Sequence, residues 1–204
     1  VWTAIVDQLD EPGSESDFIS VADTDRTRFA THPWSIGGGG AAELKDRLEA
    51  AAGARLSAHA AVTGAVALTR DDDVFHSGRF ASRLGNGQFS RPLAVGQDVR
   101  DWRVDAKDIA IFPYQGPGLE PVQDRHLGRG LWRWRTQLRG RVAFGKSQVE
   151  RGLLWTEYSM LFRARVSGPG ITFSDVATHN HFVLVGDGYV ANSHAPVIKL
   201  GAVA

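Results

Sequence analysis

Cysteine is absent from the 204 residues. Its absence excludes disulfide bridges, CxxC redox chemistry, thiolate zinc sites and cysteine nucleophiles. Long apolar runs are absent too: none approaches the ~20 residues that a membrane-spanning helix needs. Nor is there any net charge, since 23 Lys and Arg balance 23 Asp and Glu. A zero sum argues against binding nucleic acid through overall charge. No internal repeat of fixed period occurs, and the glycine run 37–40 is the one low-complexity stretch.

What is present is ordinary for a globular protein. The chain is 43% hydrophobic and 23% charged, and its length suits one domain with a real core. It starts at Val1 rather than Met, as expected either of a processed chain or of a piece cut from a longer protein.

The charges are unevenly placed. Residues 1–25 hold seven acids and no Lys or Arg, which marks residues 1–30 as an acidic N-terminal segment. Residues 121–151 hold Arg125, Arg129, Arg133, Arg135, Arg139, Arg141, Lys146 and Arg151 against Asp124 and Glu150, a local excess of +6. The zero sum therefore hides a basic region.

Periodicity and breakers predict the elements. "AAELKDRLEAAAG" (41–53) reads as a helix, with Leu44 and Leu48 stacked and Lys45 able to pair with Glu49. "GAVALTR" (64–70) and "DIAIFPY" (108–114) read as strands. "DDDVFHSGR" (71–79) and "RLGNGQFSRP" (83–92) read as turn-rich. "LWRWRTQLR" (131–139) fits a helix that aligns Leu131, Trp134, Leu138 and Val142, or a strand with alternating faces. The helix is favoured, and either way one face is aromatic and the other basic. "THNHFVLVGDGYVANSHAPVIKL" (178–200) reads as a hairpin turning at Gly186-Asp187-Gly188. Helices and strands without a βαβ rhythm imply an α+β fold, with a mixed or mainly antiparallel sheet.

Three patterns suggest chemistry. The hairpin would place His179, His181 and His194 on one face, where three imidazoles can hold a metal ion and leave a fourth position open. That would make a small metal-dependent enzyme. Gly140, four residues, then Gly145-Lys146-Ser147 matches the phosphate-loop pattern, so a nucleotide hydrolase using Lys146 is a second alternative. The loop it requires is glycine-permissive, yet Arg141, Val142 and Phe144 fill it. The glycine run 37–40 ahead of a helix could seat an anion, and Asp71, Asp72 and Asp73 a cation; a turn and a solvated face are the plainer readings. Seven histidines and many acids make a chance Ser-His-Asp triad easy to invent, and none is assigned.

Several phrases together point elsewhere. "HPWSIGGGGAAELKDRLE" (32–49), "VGQDVRDW" (95–102), "IAIFPYQ" (109–115), "LWRWRTQLRGRVAFGKSQVERGLLWTEY" (131–158) and "FSDVATHNHFVLVGDGYVANSHAPVIKL" (173–200) occur in this order. They resemble the region that follows the catalytic domain in adenine-specific DNA methyltransferases of restriction–modification systems. These include bacterial type IIG enzymes and the phage-defence methylases of the BREX and Pgl kind. The resemblance covers roughly residues 30–200.

For the parent protein the resemblance implies transfer of a methyl group from S-adenosylmethionine to adenine N6 in a defined DNA sequence, in the cytoplasm. The Asn/Asp-Pro-Pro-Tyr/Phe motif that holds the flipped adenine is missing here; "FPYQ" (112–115) is not one. No catalytic residue, metal ligand or cofactor is therefore expected in residues 1–204. They are expected to form a single target-recognition domain that reads bases and holds the DNA backbone. Its partners would be double-stranded DNA and the methyltransferase domain of the parent, not a membrane. The expected DNA-facing residues are Arg133, Arg135, Arg139, Arg141 and Lys146, with Trp132 and Trp134 anchoring the segment. His179, Asn180 and His181 are added, because Asn can read adenine and imidazoles can donate to phosphate or base edges.

Overall fold

The run Ile171-Thr172-Phe173 is β-branched and aromatic, and it lies in a strand, Gly170–Phe173, inside a four-stranded antiparallel sheet. On one side it pairs with Phe182–Val185, in register from Gly170 opposite Val185 to Phe173 opposite Phe182. On the other it pairs with Val197–Leu200, which in turn pairs with the edge strand Ala60–Gly64. The structure, a computed structural model, describes residues 1–201 apart from 31, 33 and 35–39. The fold is α+β with mostly antiparallel pairing, as its sequence implies.

The chain separates into two units, Val1–Arg55 and Leu56–Ala204. The first is helical. It holds Trp2–Gln8, a 3₁₀ turn at Arg26–Phe29, and the helix Ala41–Ala51, which ends two residues short of the predicted 41–53. Asp25 caps the 3₁₀ turn by accepting from the Thr27 amide at 2.9 Å. Arg28 pairs with Asp46. Residues 37–39 of the glycine run lie outside the described residues.

The second unit carries the core. Beside the four-stranded sheet, Ser90–Ala94 pairs antiparallel with Asp108–Ile111 and parallel with the short strand Val190–Ala191. Phe75, Ile111, Leu127, Leu131, Leu138 and Tyr158 are at most 1% exposed. Tyr158 ties this core together. Its ring meets Phe75 at 5.1 Å and Tyr114 at 5.5 Å. Its hydroxyl donates to the Ile111 carbonyl, and its amide donates to the Tyr114 hydroxyl at 2.9 Å. Burial pushes both phenols above the ordinary tyrosine range, so both stay neutral.

Several local expectations change. Residues 178–200 do not form one hairpin. Phe182–Val185 folds back on Gly170–Phe173, while Val190–Ala191 joins the other sheet. Asp187 accepts from the Gly168 amide at 2.6 Å, tying the glycine turn to the loop before Gly170. Val190 and Ala191 are then drawn into the core, at 1% and 5% exposure, instead of lining up beside residues 182–185. The run 64–70 is split between the strands Ala60–Gly64 and Ala67–Leu68, and residues 72–75 form a helical turn.

Candidate functional site

The basic segment is helical, in three pieces: Arg125–Leu131, a 3₁₀ turn at Trp132–Trp134, and Arg135–Gly140. It starts at Asp124, whose carboxylate accepts from the His126 and Leu127 amides at 2.6 and 3.0 Å. Leu127, Leu131 and Leu138 are fully buried, and Trp134 packs edge-on against Phe80 at 5.1 Å. That burial turns Arg125, Arg129, Arg133 and Arg139 to solvent and leaves Arg135 half-buried. Arg133 lies over the Trp134 ring at 3.9 Å, and Arg135 over Trp132 at 4.9 Å. These contacts orient the guanidinium planes and leave their N–H edges free. Among the described residues of this unit, none of Arg133, Arg135, Arg139 and Lys146 forms an ion pair with a carboxylate.

Trp132 is not a core anchor. It is 62% exposed and touches the Trp155 ring edge-on at 6.5 Å. The switch from α to 3₁₀ geometry at residue 132 rotates it away from the line of Leu131 and Leu138.

Arg141 does not share the basic surface. It is 6% exposed, and its guanidinium donates to four backbone carbonyls. Nε reaches Leu138 at 3.0 Å and Nη1 reaches Thr69 at 2.6 Å; Nη2 reaches Trp155 at 3.0 Å and Glu157 at 2.6 Å. Burial lowers its pKa to about 10, against the opposing pull of Asp71, so it stays charged at neutral pH. The residue is a strut that fixes where the basic helices end.

The phosphate-loop reading of residues 140–147 fails for a related reason. Val142–Ala143 and Lys146–Ser147 form a two-stranded hairpin, with Ala143 opposite Lys146. Phe144 and Gly145 make its two-residue turn, at φ of 54° and 74°, as a type I′ turn requires. A phosphate loop needs a strand before it and a helix after it. Here a helix precedes and a strand follows. Lys146 points from the hairpin as an exposed cation, and Phe144 stands at the tip with 85% of its surface in solvent.

A second exposed group surrounds residues 179–181. His179 and Asn180 are exposed, and the two imidazole centroids of His179 and His181 lie 6.2 Å apart. His181 Nδ1 accepts from the Asp101 amide at 3.4 Å. Asp101 and Trp102 form the turn of another two-residue hairpin, again with both φ positive, at 50° and 66°. Trp102 is 84% exposed.

His194 is not part of this group. It sits in the turn before Val197–Leu200, and its Nδ1 meets Asp175 at 3.2 Å. With the predicted hairpin gone, nothing aligns it with His179 and His181. Among the described residues no group of three or more His, Asp or Glu is placed to hold a metal ion.

Sequence reasoning missed both hairpin tips. Asp-Trp and Phe-Gly are not the Asn-Gly or Asp-Gly pairs that usually mark such turns. The Phe144-Gly145 pair had half the signal, in its glycine. No signal identified Asp175 as the partner of His194.

No family model matches the chain. The chain is similar to the adenine-specific methyltransferase PglX of Streptomyces coelicolor, with 36% identity over 207 residues. The match takes in 98% of this chain but 17% of that protein. The chain thus spans about a sixth of the length of the curated relative it matches, and it is related to one region of a methyltransferase. No helix among the described residues is long and apolar enough to cross a membrane.

Proposed function

We propose that this chain is the DNA-reading part of a site-specific adenine-N6 DNA methyltransferase of a restriction–modification or phage-defence system, and that methyl transfer is done elsewhere in the parent protein. The observation that carries the reading is the free cationic face. Arg133, Arg139 and Lys146 are exposed and without carboxylate partners among the described residues, Arg135 is half-exposed, and the aromatic rings beside them hold the guanidinium planes. A buried Arg141 positions the end of this face. Similarity to PglX along nearly all of the chain supports the same assignment.

The fold suits a division of labour. Arginine forks on a rigid helical segment suit phosphate oxygens, which set register on the duplex without reading sequence. His179 and Asn180 are exposed and His181 is half-buried beside the Trp102 turn, and their donors and acceptors suit base edges. The proposal assigns S-adenosylmethionine to the rest of the parent. Strand pairing among the described residues is antiparallel apart from one short pair, so the doubly wound parallel sheet that seats such cofactors is not among the described elements. The cofactor and the partner domain belong to the rest of the parent in this reading.

Exchanging this chain for the corresponding part of a relative tests the proposal. The parent is expected to take on the donor's methylation site. A parent that keeps its original specificity after the exchange overturns it. The isolated chain should also bind duplex DNA with an affinity that falls steeply as salt rises.

A further inference from the structure

Phe144 is an apolar ring in the wrong place for a structural residue. It sits at the tip of the Val142–Ser147 hairpin, 85% exposed, and packs against no other ring among the described residues. Its φ of 54° lies in the left-handed region, which a bulky residue adopts only under constraint. Asn, Asp or Gly would make the same turn without strain. The residue therefore loses backbone comfort and gains no burial within the chain.

Cations lie close to it along the chain. Lys146 is two positions away on the returning strand, and the helix that leads into the hairpin carries Arg135 and Arg139. The nearby carboxylate, Glu150, is already engaged by the Ser147 amide and hydroxyl at 2.7 and 2.6 Å. Arg141 holds the hairpin base by its four carbonyl contacts, so the tip is presented on a rigid stem. An exposed aromatic ring on a hairpin that also carries an exposed lysine suits a stacked, polyanionic partner. Proteins that deform duplex DNA insert apolar side chains between base steps in this way.

We propose that Phe144 is a wedge that enters the base stack of duplex DNA when the flanking cations seat on the phosphates. The inference rests on the DNA-reading proposal above and deepens it. The ring supplies stacking and local unstacking of a base pair; the cations supply affinity that depends on salt.

The test uses the whole 204-residue chain and a short duplex that the chain itself enriches from a randomised pool. The duplex is resynthesised with 2-aminopurine at each adenine in turn, since its emission rises when the base is unstacked. The native chain should raise emission at one position or at two adjacent ones. Phe144→Asn should abolish that rise and weaken binding by about tenfold, with no change in the salt slope, because no charge is removed. The same variant should melt about 2 °C higher than the native chain, since the turn strain is gone. Phe144→Trp should retain the emission change. A native chain that binds steeply with salt yet unstacks no labelled base overturns the wedge and leaves the DNA-reading proposal standing. So does a Phe144→Asn variant with native affinity and emission, which would assign the ring to a protein contact instead. A chain that enriches no duplex overturns both.

Discussion

Arg141 donates from Nη1 to the carbonyl of Thr69 at 2.6 Å, across 72 positions of chain. The bond places a guanidinium that looked like part of a basic surface inside the protein. It also changes which substitutions can report on DNA binding.

Arg141→Ala is expected to destabilise the fold by about 3 kcal/mol or more, because it removes four hydrogen bonds made by a buried guanidinium. Arg141→Lys should recover little of this, since an ammonium cannot serve four carbonyls in a plane. Thermal melts check both; a drop of roughly 10 °C is the expected scale for Arg141→Ala. A variant that melts within a degree or so of the native chain would show the strut to be dispensable.

Arg133, Arg139 and Lys146 should behave in the opposite way. All three are exposed, so their joint replacement by alanine is expected to leave melting nearly unchanged. Affinity for duplex DNA should fall about equally for all sequences. The slope of log affinity against log salt should flatten by about 0.9 for each phosphate that is no longer neutralised. An unchanged slope would exclude this face from the DNA interface.

Asn180 is expected to act on specificity more than on affinity. Asn180→Ala should relax preference at one base pair, at a cost of about 1–3 kcal/mol for the preferred sequence. The sequences enriched by the native chain and by the variant give the readout. Identical enriched motifs would remove Asn180 from base reading. His181 needs a separate comparison, because its ring also accepts from the Asp101 amide and so bears on the Trp102 turn.

His76 should make stability depend on pH. Its ring is 15% exposed, and burial lowers its pKa below the ordinary 6.5 despite the pull of Asp72 and Asp108. The folded chain therefore favours the neutral ring, while the unfolded chain takes up a proton near 6.5. The stabilising contribution is complete above 6.5 and is lost as pH falls from there toward the depressed folded value. Urea melts across this range should show the loss in the native chain and not in His76→Gln. A parallel pH dependence in both would place the titrating group elsewhere.

The candidate site was half legible in the sequence. The clustering of Arg and Lys between residues 125 and 151 is a property of the chain alone, and so is the apolar spacing of Leu131, Trp134 and Leu138 that makes one side of the segment inward. The spacing does not say which arginine lies beyond the end of the helix. Leu138 and Arg141 are three apart and would share a face if the helix ran on. The helix stops at Gly140, and the guanidinium turns in to meet carbonyls from residues 69, 155 and 157. Those carbonyls are distant in sequence, so no local pattern contains them.

The histidines show the same division. The β-prone run Phe-Val-Leu-Val correctly makes residues 182–185 a strand. Which strand it pairs with depends on edges supplied by residues 170–173, and the Asp187 contact with Gly168 diverts the chain that follows. His194 was matched to His181 by counting across a turn, and the count failed because the two runs belong to different sheets. By itself the sequence determined the α+β class, the basic segment, the helix 41–51 and the lack of any thiol chemistry, since each follows from local composition or spacing. Tertiary structure alone decided which cations are free, which histidines are neighbours and that two hairpins lift Trp102 and Phe144 into solvent. Those outcomes depend on hydrogen-bond partners and buried neighbours brought together from far apart in the chain.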